Sequence, residues 1–419
     1  MNFINPAALE GAGVIISIFI IIFFIRKGWK MYYVLPMAII VLAITNGDSL
    51  SDNLAVLYKS ATSFTAFYLV TMVLAITMLG HLHHKIGAMS QLVDNLRLLI
   101  RDPRILIMVL PASISLFSTI PGGAILSAPM VEETGRKLNM PPTELAMSNL
   151  LYRHLIVLVN PFNAAIVLAS GITGISIARY LGFAGPVIFV AIVMAIIMLF
   201  RKYPRSVVEM TEPVRNGKRQ IIVKVLIAAS PFIVAIFLGV ACKVFFPLAL
   251  TVGILITMLI NLPKGQIGPA LIQRLGMLIK GFNWPIALTS LTIVFYKDFI
   301  LEAEAFQQFV QYLMDQGLPL IVLVVVLSFL TGFITGNNIA AIGIAIPIIM
   351  PFLGADMFSI RYLGLAYLCA YAGYLGSPIH LCIYFTNEYF KTSMYTLLKR
   401  INLYTSIIVI LGLIAFLFY

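Results

Sequence analysis

The chain has 419 residues, 61% of them hydrophobic and only 11% charged, with a formal charge of +12. A soluble domain carries about 25% charged residues, so this composition excludes one and indicates a polytopic membrane protein. The positive charge would suit nucleic acid, but its placement follows membrane topology instead, and no nucleic-acid partner is expected.

Apolar runs approaching the ~20 residues that cross a bilayer place spans near residues 9–25, 31–47 and 62–82. The residues before the first span include Glu10 but neither Lys nor Arg, so no cleavable signal peptide is expected. His81, His83 and His84 resemble a metal cluster, yet they stand beside Lys85 at a span end, where a solvated interface is the expectation. Lys85–Arg101 alternates apolar and polar residues at helical spacing and reads as an interfacial helix, or as a simple connector. Residues 104–136 are too many for one simple helix and too few for two spans. Their middle, Ser118-Thr119-Ile120-Pro121-Gly122-Gly123, is a run of helix breakers. A re-entrant hairpin of two half-length helices fits; a glycine kink in one helix is the alternative. A span over 141–178 follows, interrupted at Asn160-Pro161-Phe162-Asn163, and then one over 180–200. Pro161 lacks an N–H and disfavours helix in the residue before it.

The polar stretch Arg201–Gln220 reads as a cytoplasmic linker between a first repeat, 1–200, and a second, 221–419. The second repeat has spans near 220–241, 245–262 and 284–300, with amphipathic segments at Gln266–Lys280 and Glu302–Met314. An apolar stretch, 318–351, carries a tip at Thr331-Gly332 and Thr335-Gly336-Asn337-Asn338. The span over 362–390 is interrupted at Ser377-Pro378-Ile379-His380, and the last span covers 398–418. Pro129 and Pro347 lie half a chain length apart, as do Pro161 and Pro378. Each half holds an odd number of crossings, so the second half is expected upside down relative to the first. The hairpin flanks agree: Arg104 and Arg136-Lys137 border the first, Asp315 and Asp356 the second. The expected fold is all-α, with two inverted repeats of five crossings, each bearing a re-entrant hairpin and a broken helix. With both termini outside the cytoplasmic membrane, most Lys and Arg fall on the cytoplasmic side. The exceptions are Lys59, Arg179, Lys243, Lys297, Arg361 and the intramembrane Arg153.

Unwound backbone at membrane depth is tolerated only against protein or a watery cavity. Half-helix N-termini favour an anion, whereas freed carbonyls with Ser, Thr and Asn oxygens favour Na⁺. The four motifs contain no Asp or Glu. A cation–proton antiporter wants a buried carboxylate, so an anionic substrate accompanied by a cation suits the motifs better. Ser118, Thr119, Gly122, Gly123, Asn160 and Asn163 would line one half-site; Thr335, Asn337, Asn338, Ser377 and His380 the other. Thr119, Asn160, Asn338 and Ser377 are the candidate Na⁺ ligands. Arg153, next to His154, either attracts a carboxylate or oxyanion or is structural, paired with Glu132, Glu133 or Glu144 or snorkelling. His380 would carry a coupled proton or donate one neutral hydrogen bond. Cys242, Cys369 and Cys382 sit in apolar text with no CxxC spacing and read as small core residues. No HExxH, GxSxG or P-loop occurs. An enzyme is not expected, no cofactor beyond Na⁺ is implied, and a Na⁺/H⁺ antiporter or a passive anion channel remain as alternatives.

At these motifs the chain resembles the ion transporter superfamily of secondary carriers, which includes dicarboxylate–sodium symporters, gluconate permeases and arsenite carriers. Pro121-Gly122-Gly123-Ala124, Ser127-Ala128-Pro129-Met130-Val131-Glu132 and Gly376-Ser377-Pro378-Ile379-His380-Leu381-Cys382 resemble more closely the domain of unknown function 401 family. The resemblance implies an elevator mechanism, with hairpins and broken helices as a transport core against a scaffold, and a homodimer. It also implies Na⁺ and substrate carboxylates at Ser-Asn-Thr tips. Thr335, Asn337 and Asn338 partly match the second tip, while the first lacks the Asn.

Overall fold

In hydrocarbon each peptide group must be satisfied within the protein, and every regular element among the described residues is helical. The computed structural model describes residues 6–117, 123–203, 217–263, 265–303, 308, 311–312, 314–353 and 360–419. The first half contains α1 (Pro6–Arg26), α2 (Met31–Thr45), α3 (Leu50–Ala61), α4 (Phe64–Lys85) and α5 (Ala88–Leu99). It continues with α6 (Pro103–Phe117), α7 (Gly123–Arg136), α8 (Pro142–Leu158), α9 (Ala164–Thr173) and α10 (Ile177–Phe200). The second half contains α11 (Lys218–Ile236) with a π-helical turn (Phe237–Ala241), α12 (Phe246–Leu259), α13 (Ile267–Lys280) and α14 (Trp284–Glu302). Then come α15 (Leu320–Thr335), α16 (Asn338–Ile349), α17 (Ile360–Gly376), α18 (Leu381–Phe390) and α19 (Met394–Phe418). Among the described residues, five elements are long and apolar enough to cross a membrane: α4, α10, α11 with its π turn, α14 and α19.

The expected breaks are present. α8 stops before Pro161 and α9 starts after it; Pro378 separates α17 from α18 in the same way. Pro129 and Pro347 lie inside α7 and α16. The repeated prolines therefore mark the second arm of each apolar pair and the break that follows. The arms α6 and α7 touch, as do α15 and α16. The first tip, residues 118–122, lies outside the described residues. The segments Lys85–Arg101 and Gln266–Lys280 form α5 and α13, while most of Glu302–Met314 lies outside the described residues. Residues 50–61 carry no span signal yet form α3, whose cap is Ser49 Oγ accepting from the Asp52 N–H at 3.2 Å.

One expectation needs correcting. His83 is not at a solvated interface: it is fully buried, its Nε2 lies 2.8 Å from the Ala228 carbonyl, and its ring meets Phe232 edge-on. α4 turns this residue towards α11, which a count of local charges cannot reveal.

Packing sorts the helices into two groups. α1, α2, α4, α11, α12 and α14 pack on one another together with α3, α5 and α13 and form a frame. The arms α6, α7, α15 and α16, the broken pairs α8/α9 and α17/α18, and α10 and α19 form a core group. The two meet mainly where α4 touches α9 and α14 touches α16, with further contact from α5 to α6 and α1 to α15. Inside the core group, α15 and α17 approach at backbone distance. A Cβ on Gly332 would stand 2.0 Å from the Ala370 carbonyl oxygen, and one on Gly373 2.0 Å from that of Phe329. Small residues at such crossings allow close van der Waals packing where lipid supplies no hydrophobic drive.

Candidate functional site

A cavity of about 670 Å³ lies between frame and core group. The frame side is apolar but for one hydroxyl: Val73, Ile76 and Thr77 of α4, and Ile286 of α14. The core side brings nearly all the polar lining residues, among apolar ones such as Phe162, Ile339 and Phe385. Three helices begin there. α9 starts at Ala164 behind the cap Asn163, α16 at Asn338 behind Asn337, and α18 at Leu381 behind His380, and all six residues line the cavity. Asn163 Oδ1 accepts from the Ala165 N–H and Asn337 Oδ1 from the Ala340 N–H, each at 3.0 Å. Each cap satisfies one orphan donor, and the remaining first-turn N–H groups carry the positive end of the helix dipole.

Near the opposite helix ends, polar side chains donate to main-chain carbonyls. Tyr367 Oη donates to the Leu158 carbonyl at 3.1 Å and Asn163 Nδ2 to that of Val157 at 3.1 Å. Asn160 Nδ2 donates to the Leu116 carbonyl at 3.2 Å, near the end of α6. Ser377 Oγ donates to the Phe333 carbonyl and Thr335 Oγ1 to that of Thr331, each at 2.6 Å. Neither Thr335 nor Ser377 lines the cavity. The Ser377 hydroxyl ties the second break to the α15 end, while the Thr335 hydroxyl bonds within that end.

Arg153 and Asn338 are different. Arg153 is 8% exposed and lines the cavity, and its Nη1 has no hydrogen-bond partner among the described residues. Its three candidate partners are engaged elsewhere. Glu132 bonds Arg136 at 2.6 Å and Tyr389 at 2.8 Å, Glu133 pairs with Arg97 at 3.0 Å, and Glu144 accepts from Tyr203 at 2.6 Å. Asn338 Oδ1 is buried and equally without a partner. Among the described residues no Asp or Glu lines the cavity.

His380 reaches across to the first half. Its Nε2 stands 3.1 Å from His154 Nε2, and its ring packs edge-on against Tyr374 with centroids 4.2 Å apart. His154, Tyr374, Cys382 and Ser115 are lining residues that the motifs alone do not single out. Only the adjacency of His154 to Arg153 hinted at the first of them.

Of the motif residues, the structure thus gathers Arg153, Asn160, Asn163, Asn337, Asn338 and His380 around one space. Gly123 opens α7, and Ser118, Thr119 and Gly122 lie outside the described residues. Of the candidate Na⁺ ligands, Asn160 and Asn338 share the cavity, and Asn160 Oδ1 already accepts from the Phe162 N–H at 3.0 Å.

Residues 11–419 match the model of a family described as protein of unknown function (DUF401). No curated protein matches the chain. Among solved structures, the fold is similar to that of the YdaH transporter of Alcanivorax borkumensis, whose crystal structure is described as revealing an unusual topology. The two are 14% identical, with a TM-score of 0.58 over 86% of this chain and 87% of that one.

Proposed function

The chain belongs to the DUF401 family, and from that membership, the fold and the cavity we propose that it is a secondary active transporter of small organic anions. The observation that carries this reading is the cavity's charge: three helix N-termini and the Arg153 guanidinium, whose Nη1 has no partner among the described residues, converge on it, and no described carboxylate does. Backbone N–H groups and an arginine together bind carboxylates or oxyanions. A cavity of about 670 Å³ lies within the usual range for small-molecule sites. The transporter named for the similar fold points the same way.

The proposed mechanism is of the elevator type. All the polar lining side chains but Thr77 belong to the core group, and the frame presents mainly Val73, Ile76 and Ile286 to the cavity. A core that carries the substrate along an apolar wall breaks few polar contacts as it moves. The repeated order of apolar pair, broken helix and final span supports two repeats in inverted orientation, set in a cytoplasmic membrane with both termini outside. Na⁺ or H⁺ would offset the charge of the anion, with Asn160 and Asn338 as Na⁺ contacts, and two copies would form the working unit.

Uptake of organic acids into proteoliposomes, under an inward Na⁺ or H⁺ gradient, tests the proposal. Saturable, gradient-driven uptake is expected, and Arg153→Gln should weaken its apparent affinity. Proton–Na⁺ exchange without any carboxylate would indicate an antiporter instead. Flux that rises without saturation would indicate a channel.

A further inference from the structure

We infer that His154, His380 and Cys382 form a binding site for a borderline-soft metal ion of the Zn²⁺ class, beyond the anion site proposed above. One donor atom from each lies within 4.8 Å of the other two. Donors about 2.0–2.3 Å from one tetrahedral ion stand about 3.3–3.7 Å apart, so side-chain adjustments of about 1 Å close the set. His154 already presents the correct edge, and His380 needs only to move its ring proton from Nε2 to Nδ1, which has no partner among the described residues. His154 Nδ1 stands 2.7 Å from the Leu150 carbonyl oxygen. A carbonyl only accepts, so Nδ1 carries the proton and Nε2 offers its lone pair. A backbone carbonyl holding the second ring nitrogen is the usual support of a metal-ligating histidine. His380 and Cys382 flank the start of α18, which ties their two donors to one rigid element.

All three residues line the cavity, so a fourth position faces open space, as in three-ligand zinc sites that keep one position for an exchangeable group. Arg153 lines the same cavity and opposes a cation. The Cys382 thiolate offsets that charge, and its proton is released to solvent on binding. If no metal binds, the 3.1 Å contact between the two Nε2 atoms is an ordinary hydrogen bond and Cys382 stands by.

The test uses the purified full-length protein, freed of metal, in a Cys242→Ser background that removes the exposed thiol. Titration with Co²⁺ should give one bound ion and a near-ultraviolet thiolate-to-cobalt band, with Zn²⁺ displacing it. Cys382→Ser should abolish the band and His380→Ala should weaken Zn²⁺ binding at least about tenfold, while Cys369→Ser changes neither. Absence of stoichiometric Co²⁺ and Zn²⁺ binding, or a band that survives Cys382→Ser, overturns the inference. Should Cys382→Ser fail to fold, maleimide labelling of Cys382 in a Cys242→Ser/Cys369→Ser protein replaces it: Zn²⁺ should slow the labelling, and an unchanged rate overturns the site. None of these measurements involves uptake, so the metal site and the transport proposal fail separately.

Discussion

Arg153 holds a buried guanidinium nitrogen without a partner among the described residues, and an uncompensated buried charge is a cost that folding alone does not explain. A substrate anion supplies the missing partner. Arg153→Gln should therefore lower apparent affinity by about 10–100-fold, the equivalent of a charged hydrogen bond of about 1.5–3 kcal/mol. The same variant should unfold at the same temperature or higher, read by thermal unfolding in detergent. A large loss of stability would show instead that the arginine is structural. The two asparagines separate similarly. Asn338→Ala removes an oxygen that bonds nothing described, so uptake should be lost with stability unchanged. Asn163→Ala removes the cap of α9 and the donor to Val157, so uptake and about 1 kcal/mol of helix stability should fall together. Apolar text around Cys382 suggests a core residue; its place beside two histidines emerges only when α8 and α18 are brought together.

At the scale of elements, proline chemistry is legible from sequence because it acts locally. The missing N–H and the restricted preceding residue favour the stops of α8 and α17, where a small polar residue precedes Pro161 and Pro378; in apolar surroundings Pro129 and Pro347 stay inside α7 and α16. The crossing of α15 and α17 is different: Gly332 and Gly373 look like ordinary glycines in an apolar run, and their role comes from a partner helix. Gly332→Val should destabilise the protein by at least about 1–3 kcal/mol, since the obstructing atoms belong to the Ala370 and Tyr374 backbone and cannot rotate away. Lowered melting temperature and poorer recovery of folded protein would register it; normal stability would mean that the crossing opens freely. The same limit hides His83, whose burial depends on where α11 lies.

For the whole molecule, the division into frame and core predicts relative motion between them. Leu69 of α4 lies against Gly171 of α9, where a Cβ would be 2.4 Å from Leu69 Cδ2. Bridging a Leu69→Cys/Gly171→Cys pair should stop uptake, and a reducing agent should restore it. Undiminished uptake by the bridged protein would rule out sliding at this contact. Composition, hydropathy and the paired prolines by themselves determine a helical membrane protein, the places of its spans and the positions of both breaks. These follow from the cost of unpaired peptide groups in hydrocarbon, which each segment meets on its own. Tertiary structure alone decides which polar atoms bond main-chain carbonyls and which are left without a described partner. Asn160, Asn163, Thr335 and Ser377 donate to carbonyls near helix ends, whereas Arg153 and Asn338 keep an atom free. That allocation depends on distances between helices far apart in the chain, and residue types do not encode those distances locally.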